Sequence, residues 1–338
     1  MLILSNALTN VADEGCVKVA GSLVKRLKTA EKNTYIVTYE MESEFSDTHL
    51  TLNKFLWNRS LHQLIKRKKE PFLYLPFPSK PIAFSLRLFL LSFFAKYGFR
   101  VLVTMQGEMN FLSRLLLKMS RADIVALSKE SCKRFSKIVG ERRVTYLKTG
   151  VDTNKFQPVS QETVEDLKIK YGFDPQKPVV LHVGHLKAGR NIEQLMKLEE
   201  SYQVLLVTST LFQDQQDLTL KERLLQQKNI RMIDEYLPNI EEVYQLSDVY
   251  FFPVVEQGNC IDVPLSCMEA AACNKPIITT TYGEMKEFQG KNGFWFLESF
   301  DREYLNRLLQ QVLQQPCDTR ACVMEYDWDK SVEALQKQ

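Results

Sequence analysis

The sequence predicts an α/β protein made of two doubly wound, Rossmann-like domains that face each other across a cleft. Apolar runs of strand length alternate with helical stretches along most of the chain. Strands of nearly continuous Val, Ile and Leu, separated by helices, are typical of parallel sheets covered on both faces. The chain has 338 residues, about twice the usual size of one domain, and its strand-like runs form two series.

Each series contains six predicted strands. The first series comprises residues 2–5, 35–39, 72–75, 101–104, 124–127 and 144–147. The second comprises residues 179–183, 204–207, 230–233, 249–252, 277–279 and 294–296. The break between them lies at 149–158, where Gly150 permits a sharp turn and Pro158 ends a strand. The predicted domains are therefore 1–150 and 151–317.

Composition excludes several protein classes. Apolar residues make up 45% and charged residues 25% of the chain, which is typical of a globular protein. No apolar run approaches the roughly 20 residues that span a bilayer, and we expect no signal peptide in the first residues. The seven cysteines are scattered and form no CxxC pair, so we expect reduced thiols, a cytoplasmic location and no zinc site.

The amino-terminal half is strongly basic. Residues 1–150 hold 25 Lys and Arg against 12 Asp and Glu, so their net charge is +13, whereas the rest carries −10. Segment 52–65 has apolar residues at helical spacing and ends in the basic run 66–69, and segment 80–99 is apolar on nearly every face.

This pattern predicts docking on an anionic membrane surface through residues 52–99, with the protein peripheral on the inner face. The alternative is a helix buried between the sheet and a neighbouring helix. No nucleic-acid recognition motif accompanies the charge, so we expect no nucleic-acid partner.

Basic side chains crowd the loop after strand 179–183. Gly184 lets the backbone approach a ligand closely, and His185, Lys187 and Arg190 follow at the predicted start of a helix. Helix N-termini attract anions, and Arg offers a fork suited to phosphate. The pattern predicts a diphosphate site, and the alternative is a solvated loop.

The loop after strand 249–252 leads into an apolar helix that carries one acid. Pro264 suits the first turn of this helix, whose free N–H groups we expect to face the same cleft. Val263, Pro264 and Leu265 are therefore expected to line the ligand site. Glu269 stands among Leu, Cys, Met and Ala. Its carboxylate therefore needs a partner, for which a ribose diol is one candidate.

Two further acids, Glu256 and Asp262, precede this helix and are placed to reach a sugar. The alternatives are a helix-capping role for Asp262 and a solvated loop position for Glu256.

Four segments, in order along the chain, resemble motifs of the family-4 retaining glycosyltransferases of GT-B fold. Segment 184–190 resembles that family's Gly-Arg-Leu-x-x-x-Lys phosphate loop, and segment 262–276 resembles the stretch around its Glu-x7-Glu motif. Segment 149–158 resembles the domain junction, and segment 326–329 resembles an aromatic-Ser-Trp-Glu segment. The resemblance implies the GT-B fold, with a carboxy-terminal helix at 318–338 that crosses back to the first domain.

The resemblance also implies an enzyme, a retaining glycosyltransferase of hexosyltransferase type. It would move a sugar from a nucleotide diphosphate sugar to an acceptor hydroxyl on a glycan or lipid-linked sugar, with no metal and no cofactor. The leaving phosphate would act as the base in a front-side attack.

The expected catalytic residues are Arg190 on the diphosphate, Glu269 on the ribose, and Asp262 in place of the family's first Glu. Ile261 stands at that first position, eight residues before Glu269, and Glu256 is the other candidate to replace it.

Further site residues are expected from position. Residues that follow strands 204–207 and 230–233 would line the base: Thr208, Ser209 and Tyr236. Loops of the first domain would contact the acceptor through Glu14, Gly15, Gln106, Glu108 and Asn110, and Gln106 replaces a His that is frequent in the family. Ile261 and Gln106 favour an alternative, a non-catalytic nucleotide-sugar-binding protein or membrane adaptor with a decayed site.

Overall fold

The chain folds into two compact units. The computed structural model describes residues 1–11, 13–31, 33–105, 107–187, 189–209, 211 and 216–336. The first unit contains Met1–Thr149 and Trp328–Gln338, and the second contains Gly150–Asp327. The chain thus leaves the first unit at the predicted break and returns to it near the carboxy-terminal end.

The return to the first unit starts with the helix Trp328–Gln336, not at 318 as predicted. A separate short helix, Thr319–Val323, belongs to the second unit. Its Arg320 holds it there, because Nη1 donates to the Phe156 carbonyl at 2.9 Å.

The first unit is built on a parallel sheet. Within the described residues, its strands are β1 (Leu2–Ser5), β2 (Tyr35–Thr38), β3 (Thr48–His49), β4 (Phe72–Leu75), β5 (Phe99–Val103), β6 (Asp123–Ala126) and β7 (Val144–Tyr146). They lie in the order β3-β2-β1-β4-β5-β6-β7, and every neighbouring pair is parallel. The six predicted strands are confirmed, and β3 is an additional two-residue edge strand.

The helices of this unit are α1 (Gly15–Ala30), α2 (Arg59–Lys68), α3 (Pro81–Leu91), α4 (Phe111–Met119) and α5 (Lys129–Val139). The helix predicted over 52–65 begins only at Arg59. Before it, Asn53 Oδ1 accepts hydrogen bonds from the N–H groups of Phe55 and Trp57, and Leu56 adopts a left-handed φ of 58°. These local bonds compete with a helix, so its start is delayed.

The apolar helix α3 is covered by its neighbours. Phe84, Leu88 and Leu91 are buried in one core cluster with residues of the sheet, and α4 packs along the same helix. The alternative of a helix buried between the sheet and a neighbouring helix therefore describes α3. The more exposed apolar surface lies on α4, where Phe111 is 81% exposed.

The second unit repeats this architecture. Its described strands are β8 (Val179–Val183), β9 (Gln203–Val207), β10 (Ile230–Ile233), β11 (Val249–Phe252), β12 (Ile277–Thr279) and β13 (Phe294–Phe296). They lie in the order β10-β9-β8-β11-β12-β13, all parallel. The helices are α6 (Gln161–Lys170), α7 (Leu218–Leu225), α8 (Glu241–Leu246), α9 (Leu265–Ala272), α10 (Arg302–Gln314) and α11 (Thr319–Val323). The last helix of the chain, Trp328–Gln336, is α12.

Both sheets have the doubly wound order that the sequence predicts. In each unit the chain starts at an inner strand, moves outward, returns, and continues on the other side. The reversal lies between β1 and β4 in the first unit and between β8 and β11 in the second. Ligands of such sheets bind beyond the carboxyl ends of the strands at this reversal. In the second unit, that edge carries the two loops that the sequence singled out.

Candidate functional site

The loop after β8 folds the Arg190 side chain back onto Gly184. A Cβ atom at position 184 would lie 2.9 Å from Arg190 Cζ, so only glycine leaves room for the guanidinium. Arg190 is 4% exposed, and its Nη1 donates to the Asn259 carbonyl at 3.0 Å. The buried Nε has no hydrogen-bond partner among the described residues.

This guanidinium is a buried charge without a carboxylate. None of the acids in the described ranges forms an ion pair with Arg190, which has the Asn259 carbonyl as its hydrogen-bond acceptor. Burial of an unpaired charge is unfavourable, so such a site favours an incoming anion. The arrangement suits a phosphate group, which accepts from Arg in a bidentate manner.

The two histidines near Arg190 are neutral rather than basic. Burial, and next the positive charge of Arg190, lower the pKa of His182 to about 3 and the pKa of His185 to about 3. His182 Nδ1 lies 2.8 Å from the Phe251 carbonyl in the core. The expectation that His185 adds positive charge is therefore wrong, and the cations of the loop are Lys187 and Arg190.

The helix predicted after this loop is not an α-helix. Residues Ile192–Lys197 form a 3-10 helix, which follows Asn191 in a left-handed conformation with φ of 55°. Asn191 Nδ2 donates to the Pro253 carbonyl at 3.2 Å and so ties the loop to the segment after β11. The attraction for an anion therefore depends on side chains here and not on the N-terminus of an α-helix.

Glu256 and Asn259 contact the first loop directly. Asn259 Nδ2 donates to the Gly189 carbonyl at 3.3 Å and to Glu256 Oε2 at 3.2 Å. Gly189 has φ of 83°, and a Cβ there would lie 2.5 Å from Glu256 Oε2. The exposed Glu256 carboxylate thus lies against Gly189 in the loop after β8. The sequence did not single out Asn259, although it connects the two loops.

Asp262 does not cap the following helix. Helix α9 begins at Leu265, its N-cap residue is Pro264, and no side chain caps it. The Asp262 carbonyl accepts from the Glu284 N–H at 2.9 Å, which fixes this turn to the segment after β12. The capping alternative for Asp262 is therefore wrong.

The backbone hydrogen bonds of α9 start at its third residue. The first backbone hydrogen bond within the helix joins the Cys267 N–H to the Pro264 carbonyl at 3.0 Å. The N–H groups of Leu265 and Ser266 come before this bond. Beside them, Val263 and Ile261 are each only 3% exposed. Ile261 is a core residue, and it offers no polar group where the family has its first acid.

Glu269 is buried in α9 and is bonded to a tyrosine that the sequence did not reveal. Tyr244 Oη donates to Glu269 Oε2 at 2.6 Å, with the two side chains 0% and 5% exposed. The same region contains Cys267, a fully buried thiol whose pKa is raised by burial, lowered by Arg190 and raised by Glu269.

A polar cluster follows β9 and β10, where the base is expected. Asp234 accepts from the Thr208 hydroxyl, from Lys221 Nζ and from Gln216 Nε2. Burial alone would raise the pKa of Asp234, but these hydrogen bonds lower it. Ser209 is buried, and its Oγ has no partner within the described part of the chain; Tyr236 is 42% exposed.

The predicted acceptor-side residues lie at the starts of helices. Glu14 is the N-cap of α1, where its side chain accepts from the Gly15 N–H at 3.0 Å. Asn110 is the N-cap of α4 and accepts from the Ser113 N–H at 2.9 Å. Glu108 is exposed, and Gln106 lies outside the described residues. A contact of these residues with an acceptor stays a prediction.

Among the residues that the structure describes, no group of three or more His, Cys, Asp or Glu side chains comes close enough together to hold a metal ion. No helix in the described ranges combines the length and the apolar character needed to cross a bilayer.

Comparisons with known proteins agree with this architecture. Residues 177–315 match the family model for Glycosyl transferases group 1. A crystal structure of a glycosyltransferase from Rickettsia africae superposes with a TM-score of 0.78 at 15% identity, and covers 99% of this chain and 96% of that one. At this identity the superposition shows the fold alone.

Two curated relatives carry more specific names. The chain is 25% identical over 279 residues to an alpha-galactosylglucosyldiacylglycerol synthase of Streptococcus pneumoniae, covering 79% of this chain and 69% of the relative. It is 24% identical over 204 residues to a GDP-mannose-dependent monoacylated alpha-(1-6)-phosphatidylinositol monomannoside mannosyltransferase of Corynebacterium glutamicum. That second match covers 56% of this chain and 52% of the relative.

Proposed function

Since the chain is a glycosyltransferase of the GT-B fold, we propose that it moves a sugar from a nucleoside diphosphate sugar to a hydroxyl of a membrane glycolipid or lipid-linked sugar. The proposed reaction retains the anomeric configuration and requires no metal ion. The observation that carries the proposal is the buried Arg190 guanidinium, which no acid of the described chain neutralises. A diphosphate would supply the missing negative charge.

The proposed step is a front-side displacement. The bond between the anomeric carbon and the phosphate oxygen breaks, and the acceptor oxygen bonds to the same face of that carbon. The acceptor proton passes to the leaving phosphate oxygen. Negative charge grows on the diphosphate, where Arg190 and Lys187 stabilise it without reorganisation. His185 is neutral and contributes hydrogen bonding rather than charge.

The acid that binds the transferred sugar is Glu256 or Asp262 in this proposal. Glu256 is favoured by its contact with Gly189. In this proposal the loop that contains Gly189 binds the diphosphate, and the transferred sugar is attached to that diphosphate. Asp262 is favoured by its position two residues before the N-cap of α9. Glu269 would accept hydrogen bonds from the ribose, and Thr208, Ser209 and Tyr236 would lie near the base.

The names of the two relatives support a lipid acceptor and a nucleotide sugar donor. Helix α4 supports a membrane partner, because four of its large apolar side chains are exposed between basic residues. The apolar set is Phe111, Leu112, Leu115 and Met119, and the exposed basic set is Arg114, Lys118 and Arg121. We therefore propose that the protein works on the inner face of an anionic membrane.

Nucleotide binding and sugar transfer test the proposal. Wild type is titrated with UDP, GDP and ADP by calorimetry, and transfer from the matching nucleotide sugars to diacylglycerol glycolipids is followed by mass spectrometry. Arg190→Ala should lower kcat by about 10²–10³, since loss of one such donor costs roughly 3–4 kcal/mol of the barrier. Arg223→Ala, an exposed arginine on α7, is the matched control and should leave kcat unchanged.

The outcomes separate the candidate functions. Binding of a nucleotide without turnover of any sugar would identify a non-catalytic binding protein. A product with inverted anomeric configuration, read from its NMR coupling constants, would refute the front-side step.

A further inference from the structure

We propose that Tyr244 is a positioning residue of the donor site, which holds the Glu269 carboxylate in the orientation that binds the ribose hydroxyls. This inference rests on the proposed function, because it needs a nucleotide at Glu269. Tyr244 itself would touch neither the nucleotide nor the sugar. Its contribution would be exerted entirely through Glu269.

The bond between the two side chains is short and buried. Tyr244 Oη donates to Glu269 Oε2 at 2.6 Å, and it joins helix α8 to helix α9. Hydrogen bonds from a neutral donor to a carboxylate are shorter and stronger than bonds between neutral groups.

The tyrosine ring is itself fixed by two aromatic neighbours. Its centroid lies 5.6 Å from the Phe156 ring in an edge-on arrangement, and 5.8 Å from the Tyr250 ring. A buried ring in such a contact has little freedom, so the position of its hydroxyl is well defined. Burial, and next the Glu269 charge, raise the pKa of Tyr244 well above its usual value. The phenol therefore stays protonated and remains the donor.

The donor matters because it fixes one oxygen of the Glu269 carboxylate. Loss of this bond would let the carboxylate turn about its side-chain torsions. Such a turn would weaken it as an acceptor of two ribose hydroxyls. The Tyr244 hydroxyl opposes this turn.

The test compares a nucleotide with its analogue that lacks the ribose hydroxyls. Tyr244→Phe removes one oxygen and keeps the ring. Its Kd is measured by calorimetry for UDP, GDP and ADP, and for the 2′,3′-dideoxy form of each nucleotide that wild type binds. We expect Tyr244→Phe to weaken the ribonucleotide about tenfold, the typical effect of one hydrogen bond to a charged group. The dideoxy nucleotide should bind to the variant and to wild type equally well.

Two variants serve as controls. Tyr39→Phe removes a phenol from another buried pair, in which Tyr39 Oη lies 2.6 Å from Tyr74 Oη in the first unit. It should leave both Kd values unchanged. Glu269→Gln should abolish the preference for the ribonucleotide, and addition of Tyr244→Phe to it should cause no further loss. Glu269→Gln also keeps the test decisive if Tyr244→Phe does not fold.

The outcomes distinguish the inference from its premise. Equal weakening of both nucleotide forms by Tyr244→Phe, or no weakening of either, would overturn the positioning role and leave the proposed function intact. Retention of the ribose preference in Glu269→Gln would also overturn it. Failure of wild type to bind UDP, GDP and ADP would overturn the proposed function, and this inference with it.

Discussion

The guanidinium of Arg190 packs directly on the backbone of Gly184, at the end of the inner strand β8. The room for this buried charge exists because residue 184 has no Cβ. The loop thereby brings a cation to the carboxyl edge of the second sheet, which is where ligands of such sheets bind. The relationship connects a sequence feature, a glycine after a strand, with the electrostatic character of the site.

Gly184→Ala is expected to displace the Arg190 side chain. The added carbon would lie 2.9 Å from Arg190 Cζ, so the guanidinium must move. Affinity for UDP, GDP or ADP should then fall about tenfold or more, because a charge-assisted contact is lost. Calorimetry measures the change. Gly21→Ala is the matched control, since a Cβ there meets nothing within 4 Å.

The control variant, Gly21→Ala, should stabilise the fold and leave the site unchanged. Gly21 lies inside α1, so alanine should raise the free energy of unfolding by about 0.5–1 kcal/mol and leave nucleotide binding unchanged. An unchanged Kd in Gly184→Ala would contradict the structural role of this glycine.

The stability of the protein should fall as the pH drops below 6.5. The unfolded chain protonates its histidines near pH 6.5, whereas the folded pKa of His182 and of His185 is lowered to about 3. The native state therefore binds fewer protons between these values. Within this window, each histidine should lower the free energy of unfolding by about 1.4 kcal/mol for every unit by which the pH falls. Above pH 6.5 the histidines should have no effect.

Urea unfolding of wild type and His185→Gln at pH 7.5 and pH 5.5 measures this effect. The variant should lose less stability on acidification than wild type. His49→Gln, an exposed histidine of the first unit, should behave as wild type. Equal pH dependence in wild type and His185→Gln would show that His185 is not a buried neutral group.

Exposed apolar residues of α4 should anchor the protein to anionic vesicles. Phe111→Ser with Leu115→Ser should weaken binding to mixed phosphatidylglycerol and phosphatidylcholine vesicles at least about tenfold, because each buried side chain contributes roughly 1.5–3 kcal/mol. Sedimentation measures the bound fraction. Ile169→Ser with Leu218→Ser is the matched control, since these residues are 61% and 65% exposed in the second unit.

The control pair should bind vesicles as wild type does. Equal binding of wild type to neutral and anionic vesicles would refute the role of the basic residues. A lack of binding to either kind would refute membrane docking.

Transfer should not depend on a divalent cation. In the proposed mechanism Arg190 and Lys187 stabilise the leaving diphosphate, and no metal takes part. Sugar transfer in excess EDTA should therefore proceed at the rate seen with added Mg²⁺. Loss of activity in EDTA that Mg²⁺ or Mn²⁺ restores would contradict this prediction.

The fold was predictable because buried parallel strands form continuous apolar runs. The run 179–183 is strand β8 at the same residues, and the pattern repeats through both sheets. The edge strand β3 escaped prediction because it is only two residues long, Thr48 and His49. The helix start at Arg59 was missed because the side chain of Asn53 competes for the backbone.

The site was predictable only where its residues are neighbours in sequence. Gly184 and Arg190 belong to one loop and could be recognised together. The Arg190–Asn259 contact joins residues 69 positions apart, and the Tyr244–Glu269 contact joins residues 25 apart. Neither pairing is visible in a local pattern. His185 was misjudged because its charge state depends on burial, which only the fold determines.

The buried Ile261 has a consequence for how related sequences are gathered. A search that demands two acids at the family's fixed separation would discard this chain, since an aliphatic core residue occupies the first place. The contact between Tyr244 and Glu269 joins α8 to α9 and lies outside the loop that holds Ile261.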